Sequence, residues 1–495
     1  MTRPQFGTVP QLFALFVLFA AAGFHESIRQ ACLNSITNGD FWWHLRTGLG
    51  ILASQAVPHS GVYSQSASLP WTASSWLYDV LVAVGFRLLD LRTPAVLAIV
   101  FKFALALLTF LLAGGLRGKF WTAVALSTAA QYILGAVPPL PLYCSVLAFA
   151  VELLLLMQCR ATGNARPLYW LPLLFLLWAN LDVHFVLGIV LLLLFVAACA
   201  IEQWGTRARM VWLVRSSRPP LNALAAVTLA SLVATVITPY GWNLYGLFLA
   251  RVTSAANIYF PGFQSLRFRS PQDYLLLLLV MAAFLALGMR RSRDLFQIAL
   301  LLLCTMAAFH AQRDAWLVTL AAVAVVGNAV PQTNLQSGRE DARIPARQFF
   351  SAAALALVLL AIATAIHLPH GRQGLLAEIG EGYPVAAADY IREHQLPQPL
   401  FNSFPWGGFL TWYLPEYPVA IDGRTDLYGD DFNIQYAKVM NAEAHYSTFP
   451  PLARAGTILL EKKSLMGSAL QHVAGFNQVY ADDVAVVLLR EQPQP

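Results

Sequence analysis

The chain has 495 residues, of which 58% are hydrophobic and only 12% are charged. Soluble globular proteins carry about 25% charged residues, so this composition excludes an ordinary soluble domain and predicts a polytopic membrane protein. The net charge of +6 is small for this length, and no long run of lysine and arginine is present, which argues against a nucleic-acid partner.

Apolar stretches recur along the first three quarters of the chain. A spanning helix needs about 20 apolar residues, and the sequence offers eleven candidates. The candidates lie at 10–28, 95–114, 120–137, 142–158, 168–181, 184–202, 221–239, 274–289, 295–310, 315–331 and 349–367.

A further apolar stretch, 76–91, is shorter and contains Asp79 and Arg87, so we interpret it as an interfacial or re-entrant helix. If Arg3 is cytoplasmic, this interpretation places every basic turn between helices on one side, as the positive-inside rule requires. The sequence therefore predicts a cytoplasmic N-terminus and a first outer loop over 29–94.

Near residue 370 the composition changes to that of a soluble α/β domain. Eleven crossings from a cytoplasmic N-terminus place this domain on the outer face. We therefore predict a membrane domain over 1–369 and a soluble domain over 370–495. Within the soluble domain, helices are predicted at 384–393, 430–441 and 464–474, and strands at 399–402, 418–422, 456–460, 479–480 and 484–489.

The string NGDFWWHLRTG follows the first apolar stretch and is interpreted as a loop. It places Asp40, His44 and Arg46 among aromatic side chains, and Trp42 and Trp43 are predicted to anchor it at the lipid headgroups. Asp40 is a candidate general base or, with oxygen ligands from elsewhere, a ligand of a divalent cation. The alternative is a helix cap or a solvated acid.

Other polar residues fall on the same outer face. Asp182 and His184 interrupt an almost wholly apolar stretch, and ionisable groups at membrane depth are costly and usually functional. Like His44, His184 is a candidate for catalysis, and His59 is a weaker one. A single histidine is nevertheless more often a hydrogen-bonded structural residue.

Arginines on the outer face run against the positive-inside bias and need a reason to be there. Arg46, Arg267, Arg269 and Arg313 are candidates for binding phosphate, because the planar guanidinium bonds oxyanions through two N–H groups. The alternative for each is a salt bridge, such as one between Arg313 and Asp314.

Aromatic and charged strings complete the candidate set. Trp71, with its aromatic neighbours up to residue 78, is interpreted as part of an interfacial aromatic belt, with stacking on a sugar ring as the alternative. In the soluble domain, Asp422, Arg424 and Asp426 are predicted to form a structural ion network. Phosphate-binding loops, GxSxG and HExxH are absent from the sequence, which gives no support to nucleotide hydrolysis or metalloprotease chemistry.

Three strings together resemble the GT-C superfamily of integral-membrane glycosyltransferases. The first string is GDFWWHLRTG, directly after the first helix. The second is W-x-N-x-x-x-H at Trp178–His184. The third is N-S-x-x-W-G-G at Asn402–Gly408, followed by D-G-R-x-D-x-Y at Asp422–Tyr428. Within the superfamily, the chain is similar to a poorly characterised bacterial group near the protein-mannosyltransferase and aminoarabinose-transferase branch.

The resemblance implies a GT-C-like fold in a bacterial inner membrane and transfer of a sugar from a polyprenyl-phosphate donor to an acceptor on the periplasmic face. Asp40 would activate the acceptor hydroxyl as a base or hold Mg²⁺ or Mn²⁺, although relatives often carry paired acids where this chain has one. The reaction would be an inverting hexosyl or pentosyl transfer.

The resemblance also implies roles for the remaining candidates. His44 and His184 would orient donor or acceptor; Arg46, Arg313, Arg267 and Arg269 would bind the donor phosphate; His59, Trp71, Asn180, Asp182 and Tyr240 would contact acceptor or sugar. The alternatives are a lipid or glycan transporter (a flippase) and a non-catalytic scaffold of an envelope-assembly complex. A transporter would carry internal repeats and ionisable residues near the bilayer midplane.

Overall fold

The structure, a computed structural model, describes residues 9–24, 39–135, 137–207, 219–290, 294–330, 344–367 and 371–491. Parts of three predictions lie outside these residues: the end of the first span at 25–28, the start of the outer loop at 29–38, and the basic stretch before the last span. The predicted class is confirmed, because apolar helices fill the first part of the chain and a small sheet lies in the last part.

The helices of the first part are numbered in chain order. They are α1 (Val9–Phe24), α2 (Gly39–Ser54), α3 (Trp76–Leu89), α4 (Thr93–Leu112), α5 (Phe120–Ile133), α6 (Pro141–Thr162), α7 (Leu171–Leu181), α8 (Phe185–Arg207), α9 (Leu221–Val236), α10 (Asn243–Thr253), α11 (Pro271–Gly288), α12 (Leu295–His310), α13 (Ala315–Ala329) and α14 (Ala346–His367).

Within the described residues, five helical runs are long and apolar enough to cross a membrane: Trp76–Arg117, Pro141–Thr162, Phe185–Gly205, Pro271–Gly288 and Ala346–Ile366. The first run is two helices, because Asp90, with a φ of +50°, separates α3 from α4. At 1.5 Å per residue α3 is about 21 Å long, short of the roughly 30 Å hydrocarbon layer. The total of eleven crossings and the side of each end stay predictions.

Residues 39–54 form helix α2 rather than the predicted loop. Phe41, Trp42 and Leu45 are fully buried on one side of the helix, and the burial of these apolar side chains stabilises the helical conformation. The glycines at the start of the segment had favoured a loop in the sequence analysis. Trp42 is not an interfacial anchor either. Its ring stacks on Trp412 with centroids 4.7 Å apart, inside the C-terminal region.

The C-terminal region contains α15 (Arg372–Ile379), α16 (Val385–Glu393), α17 (Phe404–Tyr413), α18 (Thr425–Tyr428), α19 (Asp430–Met440), α20 (Pro450–Ala453) and α21 (Leu465–Leu470). Its strands are β1 (Leu400–Asn402), β2 (Thr457–Glu461), β3 (Phe476–Ala481) and β4 (Ala485–Arg490), in the spatial order β1-β2-β4-β3. β1 and β2 are parallel, and the other two pairs are antiparallel. The predicted closing hairpin is confirmed.

The predicted strand at 418–422 is wrong. Asn402 takes over the backbone groups that a neighbouring strand would bond: its side chain donates to the Ile421 carbonyl at 2.8 Å and accepts from the Ala420 amide at 2.9 Å. Val419 forms only an isolated bridge, with Ser64. This extended segment therefore stays beside the sheet and leads into Asp422.

Helices α2 and α17 meet with their backbones in contact. A Cβ on Gly408 would lie 2.1 Å from the carbonyl oxygen of Gly39, so a side chain there would force the helices apart. Close approach of this kind needs glycine. The contact brings the C-terminal region directly against the start of α2, where Asp40 lies.

Helix α6 is fixed by polar contacts at both ends. At one end Ser145 donates to Asp182. At the other end the buried Arg160 pairs with Glu202 at 2.6 Å and with Asp294 at 2.7 Å, which ties α6 to α8 and α12. These pairs hold the helices that carry the 182–184 turn in a defined register.

Candidate functional site

Asp40 lies in the first turn of α2, half-buried, and its Oδ1 accepts a hydrogen bond from the Trp43 indole at 3.2 Å. Gly423 of the C-terminal region closes one side of the carboxylate, because a Cβ there would lie 1.7 Å from the same Oδ1. One wall of the Asp40 site is therefore built by a residue almost four hundred positions later in the chain.

The surroundings of Asp40 raise its pKa above the ordinary 3.8. Burial is the main cause, and the negative charge of Asp422 adds to it. His44, the Trp43 N–H and the positive charge of Arg313 act in the opposite direction without reversing the shift. A carboxylate with a raised pKa is a stronger base, which suits it to accept a proton from a hydroxyl group.

His44 lies one turn after Asp40 and is held by an acid that the sequence did not single out as a site residue. Its Nδ1 lies 2.6 Å from Oδ1 of Asp79, a fully buried residue of α3. The imidazole also stacks on Trp43, with ring centroids 3.5 Å apart. Asp79 thus holds the ring through Nδ1, and Nε2 is the second ring nitrogen.

A second carboxylate–histidine pair connects the 182–184 turn to Arg313. Nδ1 of His184 lies 2.7 Å from Oδ2 of Asp182, and that oxygen also accepts from the Ser145 hydroxyl at 2.5 Å. The other ring nitrogen of His184, Nε2, lies 2.6 Å from Nη2 of Arg313. A guanidinium can only donate, so His184 is neutral and acts as the acceptor that holds Arg313.

Asp182 and Arg313, the two ends of this series of contacts, stay ionised. Burial alone would raise the pKa of Asp182, yet the contacts with His184 and with the Ser145 hydroxyl lower it below the ordinary 3.8. Burial lowers the pKa of Arg313, while Asp314 and Asp182 raise it, and a guanidinium stays protonated at neutral pH. Phe263 packs under Arg313, with the guanidinium carbon 4.3 Å from the ring centroid.

Asp40 and Arg313 lie near enough for their charges to interact. The charge of each affects the pKa of the other, and Asp422 also acts on Asp40. The site therefore brings together a half-buried carboxylate, a histidine with an acid behind it, and an arginine held by a neutral histidine. These groups come from α2, α3, the α7–α8 and α12–α13 connections, and the C-terminal region.

The predicted ion network in the C-terminal region is confirmed in its first half. Arg424 pairs with Asp422 at 2.6 Å, both fully buried, donates to the Val62 carbonyl at 2.8 Å, and lies over the Trp71 ring. Asp426 instead pairs with Arg251 of α10 at 3.3 Å, because helix α18 carries it away from Arg424. The network thus joins the C-terminal region to the membrane helices.

Two of the predicted sugar or acceptor contacts, Tyr240 and Asn180, form hydrogen bonds within the chain. The Tyr240 hydroxyl donates to the Pro58 carbonyl at 2.8 Å and accepts from the Ala73 amide at 3.0 Å. Asn180 accepts from the Trp76 indole at 2.8 Å and donates to two backbone carbonyls. Their hydrogen-bonding groups are therefore already engaged within the chain.

Two other predicted contact residues differ in exposure. Trp71 is buried beside Trp43, with ring centroids 5.9 Å apart, so the interpretation as a belt aromatic is wrong. The reason is that the C-terminal region covers this part of the outer loop. His59 is exposed and meets the Tyr240 ring edge-on at 5.3 Å.

Three of the predicted phosphate-binding arginines lie away from Asp40. Arg46 comes six positions later on α2, which turns it to another side of the helix, and it lies over the Tyr63 ring at 4.6 Å. Arg267 and Arg269 are exposed, and Arg267 bonds Gln264. Of the four arginines, the structure brings Arg313 alone to the Asp40 site.

The divalent cation at Asp40 stays a prediction. Mg²⁺ is usually held by one or two carboxylates together with waters and substrate phosphates. The neighbouring acid, Asp422, is occupied by three contacts from the Arg424 side chain, and the described residues contain no group of three or more potential metal ligands. We therefore assign no step to the cation predicted at Asp40.

Sequence reasoning missed Asp79, Gly423 and Arg251. For Asp79 a signal existed, since it is an acid within an apolar stretch, the same feature that singled out Asp182. In the sequence analysis Asp79 served only to decide whether residues 76–91 cross the membrane. Gly423 and Arg251 gave no local signal, because their roles depend on contacts between distant parts of the chain.

The fold and the site define a polytopic membrane protein whose C-terminal region completes a carboxylate–histidine–arginine site. No protein-family model and no curated protein matches the chain. Among solved structures, the chain is similar to ArnT from Cupriavidus metallidurans bound to undecaprenyl phosphate, at 14% identity and a TM-score of 0.48, over 95% of this chain and 97% of that one.

The chain is also similar to the archaeal oligosaccharyltransferase AglB from Archaeoglobus fulgidus, in complex with an inhibitory peptide and a dolichol-phosphate. The identity is 12% and the TM-score 0.47, over 88% of this chain and 69% of that one. At these sequence identities the similarity concerns the backbone fold alone.

Proposed function

We propose that the protein is a glycosyltransferase that moves a sugar from a polyprenyl-phosphate donor to a hydroxyl acceptor at the outer face of the membrane. The observation that carries the proposal is the half-buried Asp40 carboxylate, which Trp43 and Gly423 enclose and whose pKa the charge of Arg313 affects. Sugar transfer from a lipid phosphate needs a base for the acceptor and a cation for the departing phosphate, and these residues supply both.

In the proposed reaction Asp40 accepts the proton of the acceptor hydroxyl. The hydroxyl oxygen forms a bond to the anomeric carbon, and the bond between that carbon and the phosphate oxygen breaks. Polyprenyl phosphate leaves with the electron pair, and Arg313 binds its oxygens. A single displacement of this kind inverts the anomeric configuration.

The two histidines have different proposed roles. His44, fixed by Asp79, presents Nε2 one turn from Asp40 and orients the acceptor hydroxyl. His184 is a positioning residue, because its Nε2 is already taken by Arg313. Without that contact, Arg313 would be free to turn towards Asp314, whose carboxylate lies 3.8 Å from its Nε.

We place this reaction on the periplasmic side of a bacterial inner membrane, with a cytoplasmic N-terminus and the region after 370 outside. The lipid tail would lie between membrane helices. The positive-inside pattern supports this orientation. Labelling of single cysteines from outside intact cells, at Asp483 for the C-terminal region and Arg117 for an inner turn, would test it; labelling at Arg117 alone would reverse the orientation.

The test of the proposal uses purified full-length protein with polyprenyl-phosphate-linked sugars. Asp40→Asn should lower turnover by about a thousandfold, as expected for loss of a general base, and leave undecaprenyl phosphate binding unchanged. Arg313→Ala should weaken that binding by about tenfold to a hundredfold. Arg267→Ala removes an exposed arginine outside the site and should change neither quantity.

Full turnover in Asp40→Asn would remove the catalytic assignment. Binding of undecaprenyl phosphate that is equal in wild type and Arg313→Ala would remove the phosphate assignment. Absence of such binding in the wild type would contradict the lipid-linked donor.

One observation favours the transporter alternative. Glu152 lies fully buried near the middle of α6, and within the described residues neither of its carboxyl oxygens has a hydrogen-bond partner. Acids at membrane depth commonly mark transport pathways. Glu152→Gln should abolish lipid movement across the membrane if the protein is a flippase, and should leave sugar transfer intact if it is a transferase.

A further inference from the structure

A cleft of about 370 Å³ opens on the C-terminal region, and its lining does not include Asp40, His44, His184 or Arg313. It lies between α15, the start of α16, the end of α17 and the turn that joins β3 to β4. Its volume is at the lower end of the range of small-molecule sites. On its inner side Tyr383 separates it from α2, since the Tyr383 ring packs edge-on against Trp42. The Trp42 side chain lies on the side of α2 opposite Asp40, because residues two positions apart on a helix point in directions that differ by about 200°.

Two carboxylates line this cleft, and each is held in place by a tyrosine hydroxyl. Asp389 accepts from the Tyr413 hydroxyl at 3.0 and 3.1 Å and from Arg392 at 2.8 Å. Asp482 accepts from the Tyr480 hydroxyl at 2.9 Å. Two backbone amides of the hairpin also bond Asp482, at 2.7 Å each. A carboxylate has about four lone-pair positions, so each retains capacity for a ligand.

The remaining wall combines a free amide with small and aliphatic groups. Gln373 lines the cleft, is exposed, and forms no hydrogen bond within the described residues, so its side chain can both donate and accept. Gly380 leaves the backbone accessible, and Leu376 and Val385 supply apolar surface. Fixed acceptors beside aliphatic patches match a ring with hydroxyl groups on its rim and C–H groups on its faces.

Charge narrows the class of ligand further. Arg392 neutralises Asp389, whereas the Asp482 carboxylate is bonded only by neutral donors and Lys462 donates to the Asp482 carbonyl instead, so the carboxylate charge of Asp482 makes the cleft acidic. A phosphate, a nucleic acid or an anionic headgroup would be repelled. A purely apolar ligand would strip water from both carboxylates without replacing its hydrogen bonds. A neutral saccharide carries no negative charge that the cleft would repel, and its hydroxyl groups replace the hydrogen bonds of the water that it displaces.

We propose that this cleft is a binding site for a neutral saccharide of one or two rings, distinct from the site at Asp40. The acceptors Asp389 and Asp482 bind ligand hydroxyls, and Gln373 bonds a further oxygen. The inference does not depend on the proposed transferase reaction, because it concerns binding alone.

The test is a glycan array of mono- to tetrasaccharides, probed with labelled full-length protein in a sugar-free detergent, followed by calorimetric titration of the strongest neutral hit. Gln373→Ala and Asp389→Asn should each weaken binding by about tenfold, the effect of losing one hydrogen bond. Asp483→Asn, next to Asp482 but outside the cleft, is the matched control and should bind as the wild type does. Gln373 makes no internal hydrogen bond, so its replacement leaves the fold intact, and thermal unfolding checks this.

Asp40→Asn separates the two sites, because it should leave saccharide binding unchanged. The proposal is overturned if the wild type retains no neutral glycan, or if only acidic glycans bind. It is equally overturned if binding is lost in Asp40→Asn but kept in Gln373→Ala and Asp389→Asn, which would place the saccharide at Asp40.

Discussion

Two carboxylate–histidine pairs flank Asp40, and they differ in what meets the far nitrogen of the ring. In the pair Asp79–His44, Nδ1 is held at 2.6 Å and Nε2 is the nitrogen left for a substrate. In the pair Asp182–His184, Nδ1 is held at 2.7 Å and Nε2 is used to hold Arg313. Both pairs join a carboxylate to Nδ1 of a histidine, but the contacts at Nε2 differ, and the proposed roles of the two histidines differ with them.

This difference teaches that a histidine backed by an acid is not by itself a catalytic residue. The acid holds the ring through Nδ1 in both pairs, so the role is decided by the group at Nε2. At His184 that group is a cation of the protein, which makes the pair a support for Arg313. Breaking each pair separately should therefore affect different steps of the proposed reaction.

Of the variants that break one of the two pairs, Asp79→Asn should have the larger effect. The amide holds His44 less firmly than the carboxylate, so the ring no longer presents Nε2 one turn from Asp40. Turnover should fall by about a hundredfold, within the range for positioned acid–base groups, while undecaprenyl phosphate binding stays constant. Asp90→Asn removes an exposed ion pair with Arg372 and serves as control. Weaker lipid binding in Asp79→Asn would contradict the division of roles.

A smaller effect is expected from Asp182→Asn. His184 loses the acceptor for its Nδ1 hydrogen, so the orientation of Arg313 is no longer fixed. Binding of undecaprenyl phosphate should weaken by about tenfold, comparable to one hydrogen bond to a charged group. Native mass spectrometry with the lipid measures this. The outcome that counts against the idea is reduced turnover at saturating donor with unchanged binding.

The smallest effects concern stability and pH, and they should have opposite signs at the two acids. Asp182 has a folded pKa below the ordinary 3.8, so its contribution to stability is present above pH 4 and is lost as the pH falls through the folded pKa. Asp40 has a raised pKa, so its contribution is greatest in acid and is lost as the pH rises through that pKa.

Thermal unfolding between pH 3 and pH 8 measures both effects. Asp182→Asn should lower the unfolding temperature at neutral pH, with a smaller difference at pH 3. Asp40→Asn should raise it by a few degrees at neutral pH, because an ionised carboxylate is no longer buried, and the gain should disappear in acid. A gain from Asp40→Asn that is largest at pH 3 would show that the sign is wrong.

Sequence reasoning identified the polytopic class, the C-terminal hairpin and the residues Asp40, His44, His184 and Arg313, because charged groups are conspicuous against apolar sequence. It failed where a contact between distant segments decides the structure. The first string was read as a loop because the C-terminal helix that buries Trp42 was invisible locally. The strand at 418–422 failed because the side chain of Asn402 competes for its backbone groups.

The contacts of Gly423 with Asp40 and of Gly408 with Gly39 have a consequence for synthesis in the cell. A ribosome makes α2 almost four hundred residues before Gly423. Until then the carboxylate lacks one wall. Helix α2 is thus made long before the site around Asp40 is complete, and the site forms only when two distant segments of the chain meet.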